Sequence, residues 1–98
     1  MNNPKITDKM RIETAEAIVA LNNEAGYIRD GFYDYGTDDE NEEMAAMTEA
    51  DAVDVANVLL MAENGYFEAA HDMMMGMDTE AREHVPDDLY YLIVAENE

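Results

Sequence analysis

The chain has 98 residues and a mass of 11.0 kDa, enough for one domain, so we take residues 1–98 as a single unit with residues 1–6 expected to be flexible. Its 24 acidic and five basic residues give a formal net charge of −19 at pH 7. That sign excludes direct nucleic-acid binding and opposes docking on an anionic membrane surface. The hydrophobic content of 48% nevertheless predicts a folded acidic domain.

Missing residue types exclude several classes of site. The sequence has no Cys, no Ser and no Trp, so it offers no disulfide, no thiolate or serine nucleophile and no cysteine-ligated zinc site. Neither glycine-rich phosphate-binding motif occurs. The N-terminal MNNPKITDKMR lacks the apolar stretch of a signal peptide. We therefore predict a cytoplasmic, non-enzymatic protein with no catalytic residues, no metal site and no cofactor.

The first predicted helix begins at Thr7 or Asp8, either of which can cap a helix N-terminus. It ends near Gly26, since glycine is favoured just past a helix. Its apolar residues recur at three- and four-residue intervals, which is typical of one buried helix face. They are Met10, Ala17, Ile18, Leu21 and Ala25. The aromatic, glycine-punctuated residues 27–36 then predict a short helix or a loop packed through its rings.

The second predicted helix starts at Thr48, because Asp51 three residues later resembles a capping box. It runs toward Asn64, and Gly65 stops it. The apolar residues of this segment share one helix face, which predicts that the helix packs into the core. They are Ala52, Val55, Ala56, Leu59 and Ala62.

Shorter elements complete the predicted fold. A third helix spans residues 66–75 and ends at Gly76, and one turn is expected over residues 79–84. Pro86 introduces a last helix over residues 87–95, although its LYYLIVA run also suits a strand. No convincing partner strand exists elsewhere, so the sequence predicts an all-α fold, a compact bundle of four or five short helices.

Acidic residues are concentrated in the middle of the chain. Fifteen Asp and Glu lie between Asp30 and Ala81 without one Lys or Arg, and eight of them fall within residues 38–54. Like charges on one helix face cost a few tenths of a kcal/mol per pair, and a large net charge opposes the compact state. We therefore expect the protein to use this charge. The net charge equals that of about ten base pairs of duplex DNA.

The acidic stretch TDDENEEMAAMTEADAVD, with the size and charge of the chain, resembles the small acidic DNA-mimic inhibitors of phages and mobile elements, which include anti-CRISPR and anti-restriction proteins. The resemblance implies an inhibitor that imitates the DNA phosphate backbone. Its target would be the DNA-binding groove of a host defence complex, such as a CRISPR surveillance complex or a restriction enzyme. The implied partner is a basic DNA-binding host protein, and the implied location is the host cytoplasm.

The predicted partner-binding residues come from the acidic and aromatic middle of the chain. Carboxylates would pair with the Lys and Arg that otherwise hold phosphates, and two tyrosines would supply anchoring contacts. The residues are Asp30, Asp34, Asp38, Asp39, Glu40, Glu42, Glu43, Glu49, Asp51, Asp54, Tyr33 and Tyr35. Two alternatives stay open, namely an acidic adaptor that binds a basic partner unrelated to DNA, and adaptation to high salt.

Two metal-binding patterns are incomplete. Residues 38–49 place acids at positions 1, 3, 5 and 12 of an EF-hand loop, but Glu43 stands where the loop needs Gly. Glu68 and His71 have the Glu-x-x-His spacing of di-iron bundles, which require two such motifs. A metal-dependent enzyme built on Glu68 and His71 is therefore the weakest of the functional alternatives.

Consecutive methionines suggest a contact surface. Met73, Met74 and Met75 cannot all face inward on one helix, so at least one is expected to be exposed or at an interface. Together with Tyr90, Tyr91, Leu92 and Ile93 near the C-terminus, they leave open a homodimer or partner contact.

Overall fold

The computed structural model describes residues 4–31 and 36–98. These residues contain no strand, which confirms the predicted all-α fold. Two of the helices, with 22 and 26 residues, are longer than the short helices expected. The described helices are α1 (Asp8–Arg29), α2 (Asp38–Glu63), α3 (Phe67–Gly76), α4 (Thr79–Arg82) and α5 (Asp87–Glu96).

The two long helices form an antiparallel hairpin. Buried residues of α2 recur every three or four positions, which is the spacing of a helix that packs along another helix. The buried α2 residues are Asn41, Ala45, Thr48, Ala52, Val55, Val58 and Ala62. On α1 the buried residues are Met10, Thr14, Leu21, Ala25 and Ile28.

The short helices complete the core on one side of this hairpin. Helix α3 packs against α2 and α5, and α4 contacts α2. Met74, Leu89 and Ile93 from these helices are fully buried with Val55 and Val58 of α2. Ile6, within the segment predicted to be flexible, is also buried in this core. The molecule measures 45 × 23 × 20 Å, so it is an elongated body built along the hairpin.

The predicted end of the first helix at Gly26 is wrong. Helix α1 continues through Gly26 to Arg29, so residues 27–29 are helical and do not belong to an aromatic loop. The reason is the burial of Ile28, which packs with Ala25 and Ala45 in a second small core cluster. Residues 32–35 of the predicted loop lie outside the described residues.

The predicted start of the second helix at Thr48 is also wrong. Helix α2 begins ten residues earlier, where Thr37 Oγ1 accepts a hydrogen bond from the Glu40 backbone N–H at 3.2 Å. Thr48 lies inside α2, and its buried hydroxyl donates to the Met44 carbonyl. The acids after Thr37 suit this start, because carboxylates are stabilised by the positive end of the helix dipole.

Other predicted boundaries are confirmed. Thr7 caps α1 by accepting from the Met10 backbone N–H at 3.1 Å. Gly65, at a φ of 82°, ends α2 in a Schellman motif, in which the N–H of Tyr66 donates to the Met61 carbonyl at 2.8 Å. Residues after Pro86 form helix α5.

The methionine run is divided as predicted. In α3, Met73 is partly buried, Met74 is fully buried and Met75 is exposed.

Candidate acidic interaction surface

The edge of α2 that faces α1 carries glutamates paired with arginine. Glu42, Glu49 and Glu63 are separated by seven and fourteen residues, so they lie along one line of the helix. Arg29 donates to Glu42 at 2.8 and 2.9 Å and to Glu49 at 2.6 Å, and Arg11 donates to Glu63 at 2.5 Å. We call these three glutamates with Arg11 and Arg29 the paired edge.

Hydrogen bonds from Arg29 change the acidity of its partners. They hold the pKa of Glu42 and the pKa of Glu49 below the ordinary value, with the positive charge of the guanidinium adding to the effect. The same bonds raise the pKa of Arg29. Glu42 and Glu49, both predicted as partner-binding, are therefore engaged within the molecule and help to join α1 to α2.

The remaining basic residues are also engaged within the molecule. Lys9 pairs with Asp88 at 3.0 Å, and Lys5 pairs with Glu96. Arg82 donates to the carbonyls of Met74 and Met77, at 2.9 and 3.1 Å, where α3 ends. All five Lys and Arg of the chain thus lie in the described ranges and contribute to holding the fold together.

A groove between α1, α2 and α4 contains acids that, unlike those of the paired edge, have no arginine beside them among the described residues. Its acidic lining comes from Glu24 of α1, Asp51 of α2, and Asp78 and Glu80 at the start of α4, and its volume is about 170 Å³. His84 also lines it, but no Lys or Arg of the described chain does. We call Glu24, Asp51, Asp78 and Glu80 the acidic groove.

Asp51 shows the electrostatic effect of this arrangement. Partial burial raises the pKa of its carboxyl, and the negative charges of Asp54, Asp78 and Glu24 raise it further, while His84 opposes the shift. The acidic groove therefore holds carboxylates that repel one another and lack a counter-charge from Lys or Arg in the described residues. A cation presented by a partner would relieve that repulsion.

The structure separates the other predicted acids. Asp38, Asp39 and Glu40 form the exposed first turn of α2, and Glu43 is exposed one turn later. Within the described residues no Lys or Arg pairs with any of these four. Asp30 is the C-terminal cap residue of α1. Asp51 lines the acidic groove, and Asp54 lies one helical turn further along α2, where its charge raises the pKa of Asp51. The predicted Asp34, Tyr33 and Tyr35 lie outside the described residues.

Sequence reasoning missed Glu24, Asp78, Glu80 and His84. These residues are distant in sequence from Asp51, and only the packing of α4 and α1 against α2 brings them to it. No spacing or motif in the chain indicates that assembly. The excess of acids predicted an acidic surface, but the place where acids converge depends on tertiary structure.

The described residues contain no group of three or more His, Asp and Glu side chains placed to hold a metal ion. None of the described helices combines the length and apolarity that a membrane crossing requires. Comparisons with protein-family models, with curated proteins and with solved structures each found no match.

Proposed function

We propose that this chain is a non-enzymatic inhibitor that imitates the DNA phosphate backbone. It blocks the DNA-binding groove of a host defence complex, such as a CRISPR surveillance complex or a restriction enzyme. The observation that carries the proposal is that the five Lys and Arg residues make their contacts within the fold. Among the described residues, none of the five pairs with the acids of the acidic groove or with those of the exposed first turn of α2.

The density of charge along the molecule supports the proposal. The described residues carry a net charge of −18, because Asp34 is the one charged residue outside them. Over the 45 Å length of the molecule this is about one net charge per ~2.5 Å, compared with one per ~1.7 Å of duplex DNA. A groove that attracts a short duplex would therefore attract this body with a comparable field.

Binding acts through occlusion. Lys and Arg side chains that hold phosphates donate to Asp and Glu carboxylates, so duplex DNA cannot enter the groove. Asp51 benefits from such a contact, because a cation placed beside it offsets its repulsion by Asp54 and Asp78. Glu42 and Glu49 contribute less, since Arg29 already neutralises part of their charge.

Capture followed by competition tests the proposal. The tagged protein is incubated with a bacterial lysate at about 0.15 M salt, where the Debye length of about 8 Å screens distant attraction. Bound protein is then challenged with increasing duplex DNA. We expect one DNA-binding complex, released as duplex saturates its groove. A captured partner that stays bound in saturating duplex would contradict DNA mimicry.

An acidic adaptor for a basic partner unrelated to DNA is the second candidate. It is favoured by exposed apolar residues on α2, Val53 and Leu60, which DNA mimicry does not require. The competition separates the two functions, because an adaptor binds its partner alongside duplex DNA.

A further inference from the structure

An exposed stripe of small and apolar residues runs along α2. Its members are spaced four, three, four and three residues apart, which places them on one side of the helix, as in a coiled-coil seam. Val53 and Leu60 are 59% and 56% exposed, although both are large aliphatic side chains. The stripe consists of Ala46, Ala50, Val53, Asn57 and Leu60.

The charged residues that α2 itself places beside this stripe are all acidic. Glu43 and Asp54 lie along one side of it, where no Lys or Arg of the described residues pairs with them. Glu42 and Glu49 lie along the other side, where both accept hydrogen bonds from Arg29. Helix α2 contains nine acids and no Lys or Arg over its 26 residues. In a coiled coil, the charged residues that flank the apolar seam select the partner helix. The border formed by Glu43 and Asp54 therefore selects a helix with a basic flank.

We propose that the stripe is a docking site for an amphipathic helix of a partner protein, with small and apolar residues at its heptad positions and Lys or Arg beside them. A second copy of this chain is the wrong occupant, because it would bring two acidic borders together. The inference goes beyond the proposed function, since it holds for a DNA-binding target and for an adaptor's partner alike.

The shape of the stripe fits a helix. Ala46 and Ala50 leave space for large partner side chains near the start of α2, whereas Val53 and Leu60 project toward small ones further along. Asn57 lies between the two aliphatic residues, and a single polar residue at a heptad position fixes the register of a helix pair. The stripe thus specifies both the chemistry and the alignment of its partner.

Helix α1 offers a matched control for this surface. Ile12 and Val19 are also seven residues apart and are 58% and 57% exposed. Lys9 and Arg11 lie within three residues of Ile12, so the border of that stripe is mixed in charge. A basic helix should therefore distinguish the two apolar stripes even though they expose similar side chains.

Fluorescence anisotropy with a synthetic peptide tests the proposal. The probe is a peptide of about three heptads, with Leu and Ala at the seam positions and Lys on both flanks. A control peptide has the same composition in an order that removes the heptad repeat. Each is titrated with the intact protein at about 0.15 M salt. We expect the heptad peptide to bind about tenfold more tightly than the control, through burial of Val53 and Leu60.

Two double variants locate the contact. V53N/L60N should lower the affinity for the heptad peptide to that of the scrambled peptide, while I12N/V19N should leave it unchanged. Both pairs are exposed, so the fold is retained, and circular dichroism confirms it. Equal affinity for the two peptides, no binding of the heptad peptide, or equal losses in both double variants would overturn the proposal. None of these results depends on duplex DNA, so failure here is distinct from failure of DNA mimicry.

Discussion

The two edges of α2 use the same type of side chain in opposite ways. On the paired edge, Glu42, Glu49 and Glu63 accept hydrogen bonds from Arg29 and Arg11 and join the two long helices. At the acidic groove, Asp51 faces further acids, with no Lys or Arg of the described chain lining the space. A single helix thus carries acids that support the fold and acids that oppose it.

The five basic residues explain the difference between these two groups of acids. A chain with only five basic residues places them at helix junctions and helix ends, where each contributes to folding. Surface ion pairs are individually weak, so these residues cannot offset the repulsion among the other acids. The unpaired charge of the acidic groove therefore does not stabilise the fold, which is consistent with the proposed role in binding.

The largest expected effect comes from a core residue beside the acidic groove. Leu21 is fully buried in α1 and also lines the acidic groove. Leu21→Ala should lower the free energy of unfolding by about 2–5 kcal/mol, because it removes apolar contacts and leaves a cavity. Urea denaturation measures it. The exposed Val19→Ala serves as control and should stay within about 0.5 kcal/mol of wild type. A similar small loss for Leu21→Ala would mean that the described core is wrong.

The start of α2 provides a smaller effect. Thr37→Ala should lower the free energy of unfolding by about 1 kcal/mol, since it removes the cap that the Glu40 N–H donates to. The measurement is urea denaturation followed by circular dichroism. If α2 instead began at Thr48, Thr37→Ala would have no effect on stability.

The paired edge is tested by removing its central cation. Arg29→Met should lower Tm by less than Leu21→Ala does, because the ion pairs it removes are exposed. The folded state lowers the pKa of Glu42 and of Glu49 below the ordinary glutamate pKa of 4.5. Their ion pairs therefore stabilise the fold above pH 4.5, and this stabilisation is lost as the pH falls through the lower pKa values of the folded state. The Tm difference between Arg29→Met and wild type should therefore shrink in acid.

Lys5→Met is the control for Arg29→Met, because it removes one positive charge and the ion pair of Lys5 with Glu96. It should lower Tm less than Arg29→Met does. Equal decreases in the two variants would show that total charge, and not the paired edge, determines the effect.

Removing a charge from the acidic groove should stabilise the fold, whereas removing the charge of Arg29 destabilises it. Asp51→Asn should raise the free energy of unfolding at pH 7 by about 0.2–0.5 kcal/mol, the scale of one like-charge pair on a helix. Because the folded state raises the pKa of Asp51, its ionisation destabilises the fold as pH rises through that value. The gain should therefore disappear below the ordinary pKa of 3.8.

Asp72→Asn on α3 removes the same charge away from the groove and measures the effect of net charge alone. A gain as large as that of Asp51→Asn would contradict a specific repulsion in the acidic groove. Thermal or urea denaturation at pH 7 and in acid provides both comparisons.

The helices could be predicted where local signals agree with packing. Three predicted boundaries are confirmed because each depends on a local signal. Thr7 caps the start of α1, the positive φ of Gly65 ends α2, and the fixed φ of Pro86 precedes α5. The start of α2 could not be predicted, because its buried face includes Asn41 and Thr48, which an apolar pattern does not count. The continuation past Gly26 depends on Ile28 packing across the hairpin on Ala45, a contact that no local signal reveals.

The sequence predicted that the protein has an acidic surface, but not how the acids of the candidate site are arranged. The acid count indicated a charged surface, and Asp51 and Asp54 were among the predicted residues. Neither the pairing of Glu42 and Glu49 with Arg29 nor the approach of Asp78 to Asp51 follows from sequence spacing, since both depend on how the helices pack.

The most direct test asks whether the partner recognises the arrangement of acids or only their number. E24Q/D51N/D78N/E80Q removes four negative charges at the acidic groove, and E16Q/E68Q/D72N/E98Q removes four elsewhere. Affinity for the captured DNA-binding complex is measured for both, with duplex DNA as competitor. The account predicts that the first variant binds at least about tenfold more weakly than the second. Equal affinities for the two variants would contradict it.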